Sequence, residues 1–226
     1  MNNTDSTFKF QNKEHFLFST PVFESTVQGV DNAGIASYSR MLREKTQGVT
    51  ISNRGGWHSK EVLNPLPENL VEFFNTLEKF VAEYIGTFTS VNSLKLGNFW
   101  ININGPNDYN LVHDHQNSIL SGVYYVEVPE GDSGNLIIER DDTAEFFLGR
   151  YKGSGPFYTL EHSFIPEAGK LILFPAWTKH RVERNNTSKE RISIAFNFVD
   201  EEKIKEGDNK AVTPAPKREE NSWGQW

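Results

Sequence analysis

The chain has 226 residues, 37% hydrophobic and 23% charged, with 17 Phe, 7 Tyr and 5 Trp, which is the composition of a folded domain and excludes collagen-like, coiled-coil and low-complexity chains. It contains no cysteine, so disulfides, thiolate zinc sites, iron–sulfur clusters and cysteine nucleophiles are excluded together, and any metal must rest on Asp, Glu or the 6 His. A net charge of −7 argues against a nucleic-acid partner, no stretch approaches the roughly 20 apolar residues of a membrane span, and the opening MNNTDSTFKF lacks the basic start and apolar run of a secretion signal, so a cytoplasmic location is expected.

Residues 1–15 are polar and read as a flexible start, followed by a short strand around Phe16, Phe18, Val22 and Phe23. From Asp31 to about Lys45, Ile35, Tyr38 and Met41/Leu42 recur at helical spacing, with Asp31 or Asn32 as cap and Gly48 as stop. A second helix is predicted over Pro67–Tyr84, where Leu70, Phe73/Phe74, Leu77 and Phe80/Val81 make one apolar stripe that should pack on a sheet. After Gly86 the period changes from 3.6 to 2. Strands are predicted at Leu94–Asn104, Ile119–Val128, Gly134–Glu139, Tyr158–Phe164, Lys170–Pro175, Lys179–Arg184 and Arg191–Val199. The expectation is a single, mainly β domain over 16–202, a barrel or sandwich core (94–199) behind a helical buttress (30–86). Arg140–Pro156 is polar and glycine-containing, long enough to be a functional loop, and 203–226 is a charged, proline-containing tail that ends with Trp223 and Trp226 and is expected to be disordered.

The segment YNLVHDHQNSILSGVYYVEV puts His113 and His115 two residues apart; on extended backbone both imidazoles project to one side and Asp114 to the other. Further on, an apolar strand, Leu171–Phe174, turns at Pro175 toward His180. In the last strand Ile192, Ile194, Phe196 and Phe198 form one face, and Arg191, Ser193, Ala195 and Asn197 form the other. If that second face lines a barrel interior, a buried guanidinium needs an anion, and a carboxylate held bidentately beside a serine hydroxyl satisfies it. An edge strand with Arg191 in solvent fits the alternation equally well. Asn102 and Asn104, alternating with Ile101 and Ile103, line the same interior or a polar outer face. Iron(II) held by three side chains keeps three positions open, two for a chelating 2-oxo acid and one for O₂, with Arg191 placed for the acid's far carboxylate.

The order His-x-His, SGVYYVEVP, GKLILFP, a distal His and RISIAFNF resembles the double-stranded β-helix oxygenases that depend on 2-oxoglutarate and iron(II). More narrowly it is similar to a prolyl-hydroxylase-like group found in marine bacteria and their phages, in which SNRGGWHS (Ser52–Ser59) also appears; a phage origin would make the location a host cytoplasm. The resemblance covers about Phe16 to Val199. It implies a jelly-roll barrel with two or so flanking N-terminal helices, His113, His115 and His180 as the metal ligands, Arg191 with Ser193 at the distal carboxylate of 2-oxoglutarate, and Tyr124 bonding that carboxylate. Asn102 is a further candidate on the co-substrate side. The implied cofactors are Fe(II), 2-oxoglutarate and O₂, and the implied partner is a peptide or small-molecule substrate that becomes hydroxylated as succinate and CO₂ leave. The chain departs from the family's usual His-x-Asp at His115. A neutral third ligand removes one negative charge from the shell and should weaken iron retention. The alternative is a twisted loop that presents Asp114 instead.

Two other functions fit the residues. A cupin-like metalloenzyme also uses His-x-His on a small barrel, but it normally places a Glu a few residues later, where this chain reads QNSIL, and gives Arg191 no task. A catalytically silent barrel would recognise a protein or sugar through the Arg140–Pro156 loop. His58 reads as a hydrogen-bonded turn residue or as a group near the site mouth; Asn117 and Ser118 read as turn caps; Glu127 alternates with Val123 and Tyr125 and is not taken as a ligand; His15 and His162 have no evident partners.

Overall fold

The computed structural model describes residue 13 and residues 19–60, 66–85, 94–141 and 158–201. Phe16, Phe18, His15, most of the 140–156 loop and the 203–226 tail with its two tryptophans lie outside the described residues. Among those described, the chain forms β1 (Phe23–Thr26), α1 (Asn32–Lys45), β2 (Asn53–Arg54), β3 (Trp57–His58), α2 (Glu68–Phe80) running into a π-helical turn (Val81–Ile85), β4 (Leu94–Asn104), β5 (Tyr109–His113), β6 (Leu120–Glu127), β7 (Leu136–Glu139), β8 (Glu161–Phe164), β9 (Lys170–Pro175), β10 (His180–Val182) and β11 (Arg191–Asp200).

All pairings are antiparallel. A larger sheet has the order β1-β9-β6-β11-β4-β3 and a smaller one β2-β5-β10-β7-β8, which is a double-stranded β-helix with two helices on one side. The alternation along β11 sets the layers. Ile192, Ile194, Phe196 and Phe198 are fully buried in a core with Ile35 of α1 and Leu70, Phe73, Phe74 and Leu77 of α2. Phe74 packs on Phe99 with ring centroids 4.3 Å apart, and each such side chain taken out of water contributes about 2 kcal/mol. Asp31 caps α1 by accepting from the Gly34 N–H at 2.9 Å. A second cluster, Tyr125, Leu136, Phe164, Ile172 and Phe174, occupies the other face of the larger sheet and ties it to the smaller one.

Several predicted strands shorten because their ends leave the ladder. Gly134–Glu139 begins pairing only at Leu136, since Gly134 turns at φ +86°, and a Cβ there would meet the Glu183 carbonyl oxygen at 2.2 Å. Tyr158–Phe164 narrows to β8, and Lys179–Arg184 to β10. A bulge between Ile192 and Ser193 sets Ile192 opposite Glu127 but Ser193 opposite Tyr125. The extra residue, Val126, joins the helix-side core, and Glu127 leaves the face of Tyr125 and pairs with Arg40 of α1. On the face away from the helices the register aligns His58, Asn102, Ser193 and Tyr125 in one row across β3, β4, β11 and β6.

Candidate metal centre

The smaller sheet brings His113 and His180 directly opposite each other, at the end of β5 and the start of β10. Their ring centroids are 4.2 Å apart, and His115 stands 5.1 Å from each. One ligand-capable nitrogen from each of the three lies within 4.8 Å of the others; Asp114 is not in this cluster. His115 lies beyond the end of β5, and its backbone N–H donates to the Ala176 carbonyl at 2.9 Å in the turn between β9 and β10. Asn117, at φ +68°, then reverses the chain toward β6, the turn position its residue type favours.

The hydrogen bonds select one tautomer at two of the rings. Nδ1–H of His113 donates to the Leu111 carbonyl at 2.7 Å, and Nδ1–H of His180 donates to the Thr178 carbonyl at 2.9 Å. Nε2 of each is therefore the lone-pair nitrogen, which is the arrangement by which outer groups orient metal-binding histidines. Burial pushes all three histidines down from the ordinary value, and neighbouring histidines add to it at His115 and His180: His115 goes to about 3, His180 well below the ordinary value, and His113 lower despite the opposing pull of the Leu111 carbonyl and Asp114. Three uncharged imidazoles with no carboxylate among them are ready to bind a cation at neutral pH.

This burial has a consequence for the metal-free protein. In the unfolded chain these histidines take up protons near pH 6.5, whereas in the fold they resist doing so. Stability is therefore complete above about pH 7 and is lost as the pH falls below about 6.5. Each histidine that stays neutral contributes about 1.4 kcal/mol to the difference between pH 7.5 and 5.5. Urea unfolding of the metal-free protein should show a loss of up to about 4 kcal/mol across that interval, and His115→Leu should remove roughly a third of it.

The histidines line a cavity that also takes in Asn102, Tyr125, Arg191 and Ser193. Arg191 is 2% exposed. Its Nη1 donates to the Ser133 and Gly134 carbonyls at 2.6 and 2.5 Å, and its Nη2 donates to Asn104 Oδ1 at 3.3 Å, while the buried Nε has no partner. Burial pulls this guanidinium below its ordinary range, and the Tyr125 hydroxyl opposes the pull. A buried cation that lines a cavity and keeps an idle N–H calls for an anion.

Tyr124 is a correction. It is fully buried on the opposite face of β6, against Phe73 at 4.6 Å, and its hydroxyl donates to Asn32 Oδ1 at 2.9 Å. Because β6 alternates, the cavity receives its neighbour Tyr125. His58 is buried and stacked on Trp100, with centroids 5.5 Å apart and planes 10° from parallel, and Trp100 in turn packs 5.5 Å from His115. A two-residue strand such as β3 offers no period by which this placement could be read. His162 lies in β8 against Phe164.

Residues 98–197 match the family model described as "Putative 2OG-Fe(II) oxygenase". That span, a little under half of the chain, is similar to the 2-oxoglutarate- and iron(II)-dependent oxygenases. The matched span holds all three histidines, Arg191, Ser193 and Tyr125. Among solved structures, a prolyl-4-hydroxylase from Pseudomonas putida superposes with a TM-score of 0.59 at 16% identity, covering 80% of this chain and 93% of its own. The viral collagen prolyl hydroxylase of Paramecium Bursaria Chlorella virus-1, solved with 2-oxoglutarate, gives 0.54 at 12%, covering 78% and 94%. HygX from Streptomyces hygroscopicus, solved with nickel and 2-oxoglutarate bound, gives 0.54 at 12%, covering 80% and 83%. At these identities the likeness is one of fold. A search of curated protein sequences found no similar one. The cofactors of that family are iron(II) and 2-oxoglutarate, with O₂ as the usual co-substrate. The residues present suit both: a neutral imidazole cluster for the ion and an under-bonded buried arginine for a carboxylate. No helix among the described residues is long and apolar enough to cross a membrane.

Proposed function

We propose that this oxygenase hydroxylates a C–H bond of a peptide, an amino acid or a small metabolite, converting 2-oxoglutarate to succinate and CO₂. The observation that carries the reading is one cavity holding both a convergent set of three neutral imidazoles and a buried arginine with a free Nε–H. His113, His115 and His180 would hold the iron, which when bound supplies the O₂ activation that side chains cannot. Arg191 and Ser193 bind the distal carboxylate of 2-oxoglutarate and so fix the other end of the acid toward the histidines. Tyr125 adds a hydroxyl from the neighbouring strand, and Asn102 flanks Ser193 on the far side. Val123, Leu136 and Phe174 line the same cavity and exclude water from it.

The test is turnover of 2-oxoglutarate with iron(II) and ascorbate, scored as succinate. Absence of succinate from the wild-type protein with every peptide and metabolite pool, together with unchanged 2-oxoglutarate binding in an Arg191 variant, would end this assignment. The two adjacent tyrosines separate the co-substrate site from the core. Tyr125→Phe should weaken 2-oxoglutarate binding about tenfold, as expected for a lost hydrogen bond to a charged group. Tyr124→Phe should leave binding alone and lower stability by about 1 kcal/mol through the lost bond to Asn32. Ligand titration and thermal melting of both variants distinguish these outcomes.

A further inference from the structure

Ser52 opens the SNRGGWHS segment and lies just before β2. The structure fastens it from several sides. Its carbonyl accepts the Leu111 N–H at 2.9 Å, Asn53 and Arg54 pair with Asn110 and Tyr109 of β5, and Asn53 Oδ1 accepts the Ile51 N–H at 2.8 Å. This bracing carries the hydroxyl of Ser52 into the cavity, 3.5 Å from Nε2 of His113. Oγ of Ser52 accepts from Nδ2–H of Asn110 at 3.0 Å, which orients the hydroxyl and leaves its single proton to be donated elsewhere.

Nδ1–H of His113 is committed to Leu111, so its Nε2 is an acceptor and the nearby Ser52 proton can point at that lone pair. His113 would use that lone pair to hold the metal, and the Ser52 proton would then be free for another acceptor within the same cavity, such as an oxygen of a bound acid. We infer that Ser52 is a co-substrate-positioning residue whose hydroxyl, oriented by Asn110, donates a hydrogen bond to an anionic oxygen of the 2-oxo acid at the metal. This rests on the oxygenase reading above. It gives the Ser52–Asn110 pair a task that neither Arg191 nor the histidines perform, because Arg191 holds the distal end of the acid and Ser52 acts at the metal end.

The experiment measures binding without turnover. Iron(II)-loaded protein is titrated anaerobically with 2-oxoglutarate, following the visible charge-transfer absorption of the iron–acid chelate, and iron affinity and the thermal midpoint are measured in parallel. Ser52→Ala should weaken 2-oxoglutarate 10- to 100-fold, the range for a hydrogen bond to a charged acceptor, and shift the absorption band, with iron affinity unchanged within about twofold. Ser52→Thr should restore binding, and Ser52→Val, equal in shape but without the hydroxyl, should not. Asn110→Ala, which leaves the hydroxyl unoriented, should fall between wild type and Ser52→Ala. Unchanged 2-oxoglutarate affinity in a folded Ser52→Ala or Ser52→Val protein overturns the inference. So does a loss confined to iron affinity, which would make Ser52 a metal ligand. If Ser52→Ala and Ser52→Val do not fold, wild-type affinity in Asn110→Ala overturns it. A wild-type protein that shows no band at all would instead refute the underlying oxygenase reading.

Discussion

Replacing His180 with alanine should abolish metal binding and lower 2-oxoglutarate turnover by more than about 10³-fold. His180 faces His113 across the β5–β10 ladder, and the metal has no carboxylate to fall back on, since Asp114 is outside the cluster. Loss of a group that merely orients a metal ligand typically costs 10- to 100-fold in affinity, so loss of one of three ligands must exceed that. Metal content after iron loading and succinate formation are the measurements. Asp114→Asn should leave both unchanged; a loss there comparable to that of His180→Ala would mean that the carboxylate turns inward on loading. His115→Asp should tighten iron, because a carboxylate adds Coulombic attraction that a neutral imidazole lacks.

Arg191→Met carries the second large effect, on two quantities at once. The side chain clamps the Ser133 and Gly134 carbonyls and Asn104 Oδ1, and methionine leaves all three buried acceptors without their donor, at about 1–3 kcal/mol each. Stability should fall by several kcal/mol. With the fixed cation gone, 2-oxoglutarate affinity should fall at least about 100-fold. Arg191→Lys keeps the charge but lacks the planar fork, so it should recover part of the affinity and little of the stability. The decisive comparison is co-substrate affinity on metal-loaded protein against the melting midpoint. Affinity that survives while stability drops would make Arg191 a structural clamp alone and remove the co-substrate assignment.

The long elements were legible because their patterns are strong. Leu94–Asn104 and Lys170–Pro175 emerge with the expected bounds, and the Ile–Phe face of β11 packs on α1 and α2 as its alternation demands. His113 and His115 read as a pair because positions i and i+2 of an extended chain project to one side, whereas His180 joins them only through the family resemblance. What escaped depends on distances along the chain that no local period records. β2 and β3 are two residues each, so the placements of Ser52 and His58 come entirely from pairing with β5 and β4. The bulge at Ile192/Ser193 inverted the side of Glu127. The family pattern points to Tyr124, whereas the alternation of β6 turns Tyr125 toward the cavity.

The short turn from Pro175 to Thr178 fastens two of the three imidazoles, His115 through the Ala176 carbonyl and His180 through that of Thr178. Because His115 is anchored to a part of the chain about sixty positions downstream rather than to its own neighbours, the ion cannot be captured by a half-built molecule. Iron uptake during refolding should trail the closing of this turn between the two sheets, and a single inserted residue within it would dislodge two ligands in one stroke.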